Sequence, residues 1–313
     1  MIRTLDDIVE AVRSRPMKTV AVAVAEHESV LRAVKQAGEW GIAEAVLVGD
    51  HDEIRAAGEQ AELDLTDVSV IHEPSDLGAA ATATELVSSG RADILMKGQI
   101  HTDDFLRAVL DKERGLRAGY RMSHVFILET TDRERLTLVT DGAMNIAPDL
   151  VAKAEIVLNA VYLAQLLGVD EPRVGVLAGT EVVNPDMQAT VDAAVLATMC
   201  ERRQFPSCRI DGPFALDNAV SELAAQIKRI PGDVAGRCDI LLVPTIEAGN
   251  ILAKNCAFLG GGRLAGVLVG ASAPVVLTSR ADTAEAKLYS IATAMLMADL
   301  RRSSRLKIGK VRF

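Results

Sequence analysis

Ser279, Arg280 and Asp282 close the apolar run VVLT and stand directly before the helix-like pattern AEAKLYSIA. A hydroxyl, a guanidinium and a carboxylate within four residues are side chains that can hold an oxyanion and move a proton. A helix N-terminus already favours negative charge, so an arginine placed beside it adds a second positive feature. Together they suit a phosphate gripped by a planar guanidinium fork. The competing reading is structural. Asp282-x-x-Glu285 fits an acidic capping box, with Asp282 as N-cap and Glu285 folding back at N3. That explains both carboxylates and leaves Arg280 without a purpose.

Three other strand-to-helix junctions carry polar side chains. In DILMKGQIHTDDFLRAVL a strand runs into Lys97-Gly98, and His101-Thr102-Asp103 opens a helix with Arg107 one turn further on. Thr102 or Asp103 can cap that helix and leave backbone N–H groups for an anion. His101 is read equally as packing at the helix start, and Lys97 as lining. In TLVTDGAMNIAPDL the strand ends at Thr140-Asp141 and turns through Gly142, Asn145 and Pro148. In DILLVPTIEAGNILAKN, Glu247, Gly249 and Asn250 follow Pro244. Gly249 permits a close backbone approach, and Glu247 and Asn250 serve as cleft polar groups or as caps.

These junctions need strands and helices to present them. Short β-branched runs alternate with helix-length patterns: KTVAVAVA, AVLVGD, VSVIHE, ADILMKG, SHVFILE, LTLVTD, RVGVLAG, CRIDG, CDILLVP and GVLVGASAPVVLTS. Between them, segments such as ESVLRAVKQAGEWG and PDLVAKAEIVLNAVYLAQLLG place apolar residues at helical spacing. The pattern predicts an α/β chain with largely parallel sheets. About ten strands exceed one compact open sheet, so two α/β domains are expected. Ligands of such sheets sit beyond the carboxyl ends of the strands, where these junctions lie.

Composition narrows the function further. Of 313 residues, 49% are apolar and 25% charged, enough for hydrophobic cores, and 34 Lys+Arg against 43 Asp+Glu give a net charge of −9. An acidic chain whose one basic block is the tail from Arg301, read as solvated, is a poor nucleic-acid binder. The N-terminus lacks an apolar signal-peptide core and no run is long enough to span a membrane, so cytoplasm is expected. Cys200, Cys208, Cys238 and Cys256 form no C-x-x-C pair and are read as buried, reduced thiols, with no metal site. Neither a phosphate-loop motif, a G-x-G-x-x-G after a strand nor a G-x-S-x-G elbow is present. ATP hydrolysis, dinucleotide redox chemistry and α/β-hydrolase chemistry lose ground.

From about residue 18 to 298 the chain resembles the phosphate acetyl/butyryltransferase family. The resemblance rests on KGQIHTDDFLRAVL, VTDGAMNIAPDL, DGPFALDNAVS, GDVAGRCDILLVPTIEAGNILAKN and APVVLTSRADTAEAKLYSIA, in that order. Within the family, VTDGAMNIAP, EVVNP at 181–185 and LTSRAD look closest to the butyryl branch. The resemblance implies two α/β domains of the isocitrate/isopropylmalate dehydrogenase-like type around a cleft, one from 1–140 plus 275–313 and one from 141–274. It implies reversible conversion of acyl-CoA plus phosphate to acyl phosphate plus CoA, with no tightly bound cofactor or metal, and at least a homodimer.

The family's Ser-Arg pair falls on Ser279 and Arg280, and its arginine on the helix after the H-[ST] turn falls on Arg107. The acetyl branch's proposed base, an Asp seven residues after the Ser, lands on Ala286, so Asp282 and Glu285 are the nearest candidates. The short segment EPSDLGAA replaces a long insertion of that branch, and LETTDRERL lacks its Cys. Both departures favour a butyryl-type or broad-range pocket. A thiol titrates near 8.5 and an ordinary carboxylate near 4, so full proton transfer to the latter is uphill by roughly 6 kcal/mol. The expected scheme is direct acyl transfer in a ternary complex. Ser279, Arg280 and N–H groups near His101 and Thr102 steady negative charge, and Arg107 anchors phosphate. The rivals are a phosphate acetyltransferase, a non-catalytic module that binds CoA or acyl phosphate and, by fold analogy alone, a metal-dependent dehydrogenase.

Overall fold

The computed structural model describes residues 2–131, 134–303 and 307–312. The reading of the basic tail from Arg301, and that of segment 128–136, therefore lie partly outside the described residues. The chain alternates strand and helix from the start: α1 (Leu5–Arg13), β1 (Lys18–Ala23), α2 (Glu28–Glu39), β2 (Ala43–Gly49), α3 (His51–Ala61), β3 (Ser69–His72), α4 (Asp76–Ser88), β4 (Ile94–Lys97) and α5 (Thr102–Val109). Then come β5 (Ser123–Glu129), β6 (Thr137–Thr140), α6 (Leu150–Leu166), β7 (Arg173–Leu177), α7 (Gln188–Glu201) and β8 (Arg209–Phe214). After these follow α8 (Leu216–Val220), α9 (Glu222–Ile227), β9 (Ile240–Leu242), α10 (Ile246–Phe258), β10 (Arg263–Val269), β11 (Val275–Val276) and α11 (Ala284–Ser303).

Two compact units result. The first takes in Leu5–Tyr120 and Ala265–Ser304, and the second Arg121–Leu264 with a few residues from each end of the chain. The sequence reading set these divisions at 140 and 275. The second unit begins earlier because β6 pairs in parallel with β9, Leu138 opposite Ile240, and so shares a sheet with strands a hundred residues on.

In the first unit the strand order is β3-β2-β1-β4-β11-β10, with all neighbours parallel except β10 and β11. The single run GVLVGASAPVVLTS thus becomes two antiparallel strands, Val267 opposite Val276. Gly270, at φ +96, and Pro274 interrupt it. In the second unit the order is β5-β6-β9-β7-β8, with β5 and β6 antiparallel and the rest parallel. Strands covered on both faces read as near-continuous apolar runs, and β4 and β9 are buried throughout. Asp50, Ser75 and Asp149 cap α3, α4 and α6 through their side chains, satisfying first-turn N–H groups. All four cysteines are free thiols; Cys208, Cys238 and Cys256 are buried, but Cys200, expected buried, is half-exposed. No helix among the described residues is long and apolar enough to cross a membrane.

Candidate functional site

In the first unit, β4 and β11 run parallel and in register, Met96 opposite Val276, so both chains leave the sheet at the same edge. Beyond Met96 come Lys97 and Gly98; beyond Val276 come Thr278, Ser279, Arg280 and Asp282. Gly98 is there because of close packing. Its N–H donates to Ala23 O at 2.8 Å, and a Cβ on it would lie 2.1 Å from Val24 O. Val24 itself adopts φ +57, a conformation unfavourable for a β-branched residue. The strained end of β1 and the Lys97-Gly98 turn therefore fit each other, which sets the position of Lys97.

The turn after β11 is closed by its own carboxylate. The Ser279 N–H donates to Asp282 Oδ2 at 2.7 Å, and the Asp282 N–H to Ser279 O at 3.2 Å. The expected capping box is therefore not what forms. Asp282 turns back toward Ser279, and the helix is capped by Thr283, whose Oγ1 accepts from the Ala286 N–H at 3.1 Å. Glu285 is exposed and its carboxylate lies 3.0 Å from the Tyr289 hydroxyl, which also donates to Asp6 at 2.7 Å. Thr278, 4% exposed, carries a buried hydroxyl without a hydrogen-bond partner among the described residues.

Around this turn gather two buried lysines, Lys97, which the sequence reading took as lining, and Lys287, which it did not weigh. Lys97 is 2% exposed and Lys287, on the first turn of α11, is 1% exposed. The Lys287 ammonium donates to the Asp282 carbonyl. Burial pushes the Lys97 amine down from 10.5 to about 8, with the charges of Arg280 and then Lys287 adding to the effect and Asp282 opposing it. Burial lowers Lys287 as well, again against Asp282. Arg280 is exposed, and none of the ion pairs among the described residues involves it or Lys97. Three cations around one carboxylate leave a strong positive field at a strand edge, the setting for a polyanionic ligand. The sequence held one sign of this: Lys97 directly follows the apolar run ILM of its strand.

On α5 of the same unit, His101 rather than Thr102 or Asp103 occupies the N-cap position, in extended geometry and without a side-chain cap bond. Thr102 is the first helical residue. Arg107 is exposed and paired with Asp104 at 3.0 Å, three residues earlier. An exposed pair of that spacing is worth well under about 1 kcal/mol, so an incoming phosphate can displace it.

The second unit gathers Asn145, Glu247 and Asn250 into a separate polar turn. Asp141, 2% exposed, organises it by accepting N–H bonds from His124, Ala143, Met144 and Asn145. The Asn145 amide donates to Asp141 at 2.6 Å and to Met122 O at 3.0 Å. Asn250 donates to Gly142 O at 3.1 Å. Gly249 permits the approach of α10, since a Cβ on it would meet Asp141 O at 2.7 Å and Gly142 Cα at 2.9 Å. Glu247 lies exposed in the first turn of α10, and hydrogen bonds from Thr245 and its own N–H hold its carboxyl below the usual range. Asn145 and Asn250 thus brace the turn. No group of three or more His, Cys, Asp or Glu side chains suited to a metal occurs among the described residues.

The family model described as phosphate acetyl/butaryl transferase matches residues 3–79 and 72–295. The phosphate butyryltransferase of Clostridium acetobutylicum is 49% identical over 298 residues, covering 95% of this chain and 99% of that protein. Among solved structures, a branched-chain phosphotransacylase from Enterococcus faecalis superposes with a TM-score of 0.78 at 33% identity, over 90% of this chain and 99% of its own. At the level of fold alone, a 4-hydroxythreonine-4-phosphate dehydrogenase from Klebsiella pneumoniae gives a TM-score of 0.53 at 13% identity, over 90% of this chain and 99% of its own.

Proposed function

The chain belongs to the phosphate acetyl/butyryltransferase family, and from that premise we propose that it interconverts a short-chain acyl-CoA plus phosphate with acyl phosphate plus CoA, butyryl favoured, by direct transfer in a ternary complex. The observation that carries this reading is the convergence of Arg280, Lys97 and Lys287 around the Ser279–Asp282 turn. Such a field binds phosphate and stabilises the charge that develops on the acyl carbonyl and on the leaving phosphate. Ser279 and Arg280 hold the phosphoryl group, and Arg107 releases Asp104 to anchor it. His101 and Thr102 present the start of α5 to the same anion. On the second unit, Asn145, Glu247 and Asn250 are the polar groups proposed for substrate contact.

Coenzyme A acts as substrate and product, and no tightly held cofactor enters the scheme. A homo-oligomer in the cytoplasm completes the proposal. Preference for butyryl over acetyl rests on the likeness to the clostridial butyryltransferase, and a branched acyl group is the natural extension, given the enterococcal relative. The test is thiol release from butyryl-CoA with and without inorganic phosphate, repeated with acetyl-CoA. Phosphate-dependent release that favours butyryl-CoA supports the reading, and a preference for acetyl-CoA reassigns the chain to acetyl transfer. CoA binding without turnover would make it a ligand-binding module instead.

A further inference from the structure

Acyl transfer to or from CoA needs a place for the thiol proton, and neither carboxylate near Arg280 is arranged to take it. Asp282 accepts the Ser279 N–H at 2.7 Å and so holds the turn. Glu285 is engaged by Tyr289. The residue seven beyond Ser279 is Ala286, a buried methyl. An ordinary carboxylate is in any case about 4.5 pH units too acidic to hold a thiol proton.

We infer that Lys97 is the proton acceptor for the CoA thiol, resting on the proposed acyltransferase reading. Two buried lysines of this protein make the contrast. Lys153 is 5% exposed and pairs with Asp192 at 2.6 Å, the usual arrangement for a buried ammonium. Lys97 has no such partner: among the described residues its Nζ reaches one acceptor, Gly98 O, at a long 3.4 Å. The charged groups acting on it are Arg280 and Lys287, both of its own sign, and Asp282. Such surroundings make the ammonium easier to deprotonate, which the fall to about 8 expresses. A base of that strength is matched to a thiol near 8.5. It ends β4 beside the strand that leads to Ser279 and Arg280, and the charges of Arg280, Lys287 and Asp282 act on its amine.

The step balances within the site. The neutral Lys97 amine takes the S–H proton. The thiolate sulfur bonds to the acyl carbonyl carbon, and the bond from that carbon to the phosphate oxygen breaks with its electron pair leaving on phosphate. The Lys97 ammonium then passes its proton to the departing phosphate. In reverse, it returns the proton to the thiolate as CoA leaves.

The experiment measures phosphate-dependent turnover of butyryl-CoA by the full chain, wild type and Lys97→Arg, Lys97→Met and Lys97→Ala, across pH 6 to 9.5. Lys97→Arg keeps the charge and removes the acceptor, since guanidinium holds its proton throughout. The expected result is a loss of kcat by about 10²-fold or more in all three variants, the range a general base contributes. The KM for phosphate should be nearly unchanged in Lys97→Arg, and the falling limb of the wild-type profile near the Lys97 titration, where the ammonium that protonates the leaving thiolate is lost, should disappear. Ethylamine should restore part of the Lys97→Ala rate. Close to wild-type kcat in Lys97→Arg, or a loss confined to its KM for phosphate, overturns the inference and leaves Lys97 as a charge only. Absence of turnover in the wild type overturns the acyltransferase reading and this inference with it. Circular dichroism and melting of each variant separate loss of the base from loss of the fold.

Discussion

Lys97 and Arg280 leave the same sheet edge from adjacent parallel strands, Lys97 one residue beyond Met96 and Arg280 four beyond its partner Val276. After burial itself, the Arg280 charge is the largest influence keeping the Lys97 amine below the ordinary lysine range. One residue therefore sets both the affinity of this edge for anions and the basicity of its neighbour.

Arg280→Gln is expected to lower kcat/KM for phosphate by about 10²-fold or more, the loss associated with removing a preorganised donor from a developing oxyanion. Removing a like charge favours the ammonium form of Lys97, so the falling limb of the residual pH–rate profile should move to higher pH. Steady-state kinetics of the variant between pH 6 and 9.5 checks both.

Asp282 separates two roles by a pair of substitutions. If it holds the turn through the Ser279 N–H, Asp282→Asn, which keeps an acceptor oxygen, should retain most of the activity, whereas Asp282→Ala should lose about tenfold or more through a misplaced Arg280. Equal, large losses of kcat in both variants would restore Asp282 as the base.

Lys97 also links stability to pH. In the unfolded chain its amine keeps a proton up to about pH 10.5, and in the folded chain it gives the proton up near 8. Between those values the unfolded state binds more protons, so stability rises with pH across this window, and below it the buried ammonium costs about 3 kcal/mol. Lys97→Met should therefore show a higher urea midpoint than wild type at pH 7, with the gap narrowing by pH 10. Parallel curves at both pH values would contradict the buried, depressed amine.

Gly249→Ala tests the packing of α10 on the turn after β6. The added methyl would lie 2.7 Å from Asp141 O and 2.9 Å from Gly142 Cα, contacts that only a backbone shift can relieve. Overpacking of this kind costs about 1–3 kcal/mol, so the melting temperature should fall by several degrees. Differential scanning calorimetry reads it directly.

Much of this molecule is legible in one dimension. Each of the ten apolar runs becomes strand, and interior strands such as β4 and β9, buried throughout, show why two-sided burial in a parallel sheet demands unbroken apolar stretches. The segments ESVLRAVKQAGEWG and PDLVAKAEIVLNAVYLAQLLG become α2 and α6, and Ser279-Arg280 marks the turn between β11 and α11. Local chemistry decided these features, so local sequence carried them.

What the sequence could not determine depends on groups distant along the chain. Asp282-x-x-Glu285 has the spacing of a cap, yet the close turn that leads out of β11 draws Asp282 back to Ser279 and leaves the cap to Thr283. The pairing of β6 with β9 joins residues about a hundred apart and sets the boundary between the units. Nothing in ILMKGQ says that Lys97 is buried or that Lys287 and Arg280 lie near it. Residue type and spacing by themselves identified the arginine and the turn that carries it. Only the packing of β4 between β1 and β11 decided that a lysine would be desolvated among like charges, because burial and Coulomb energy depend on distance in space and not along the chain.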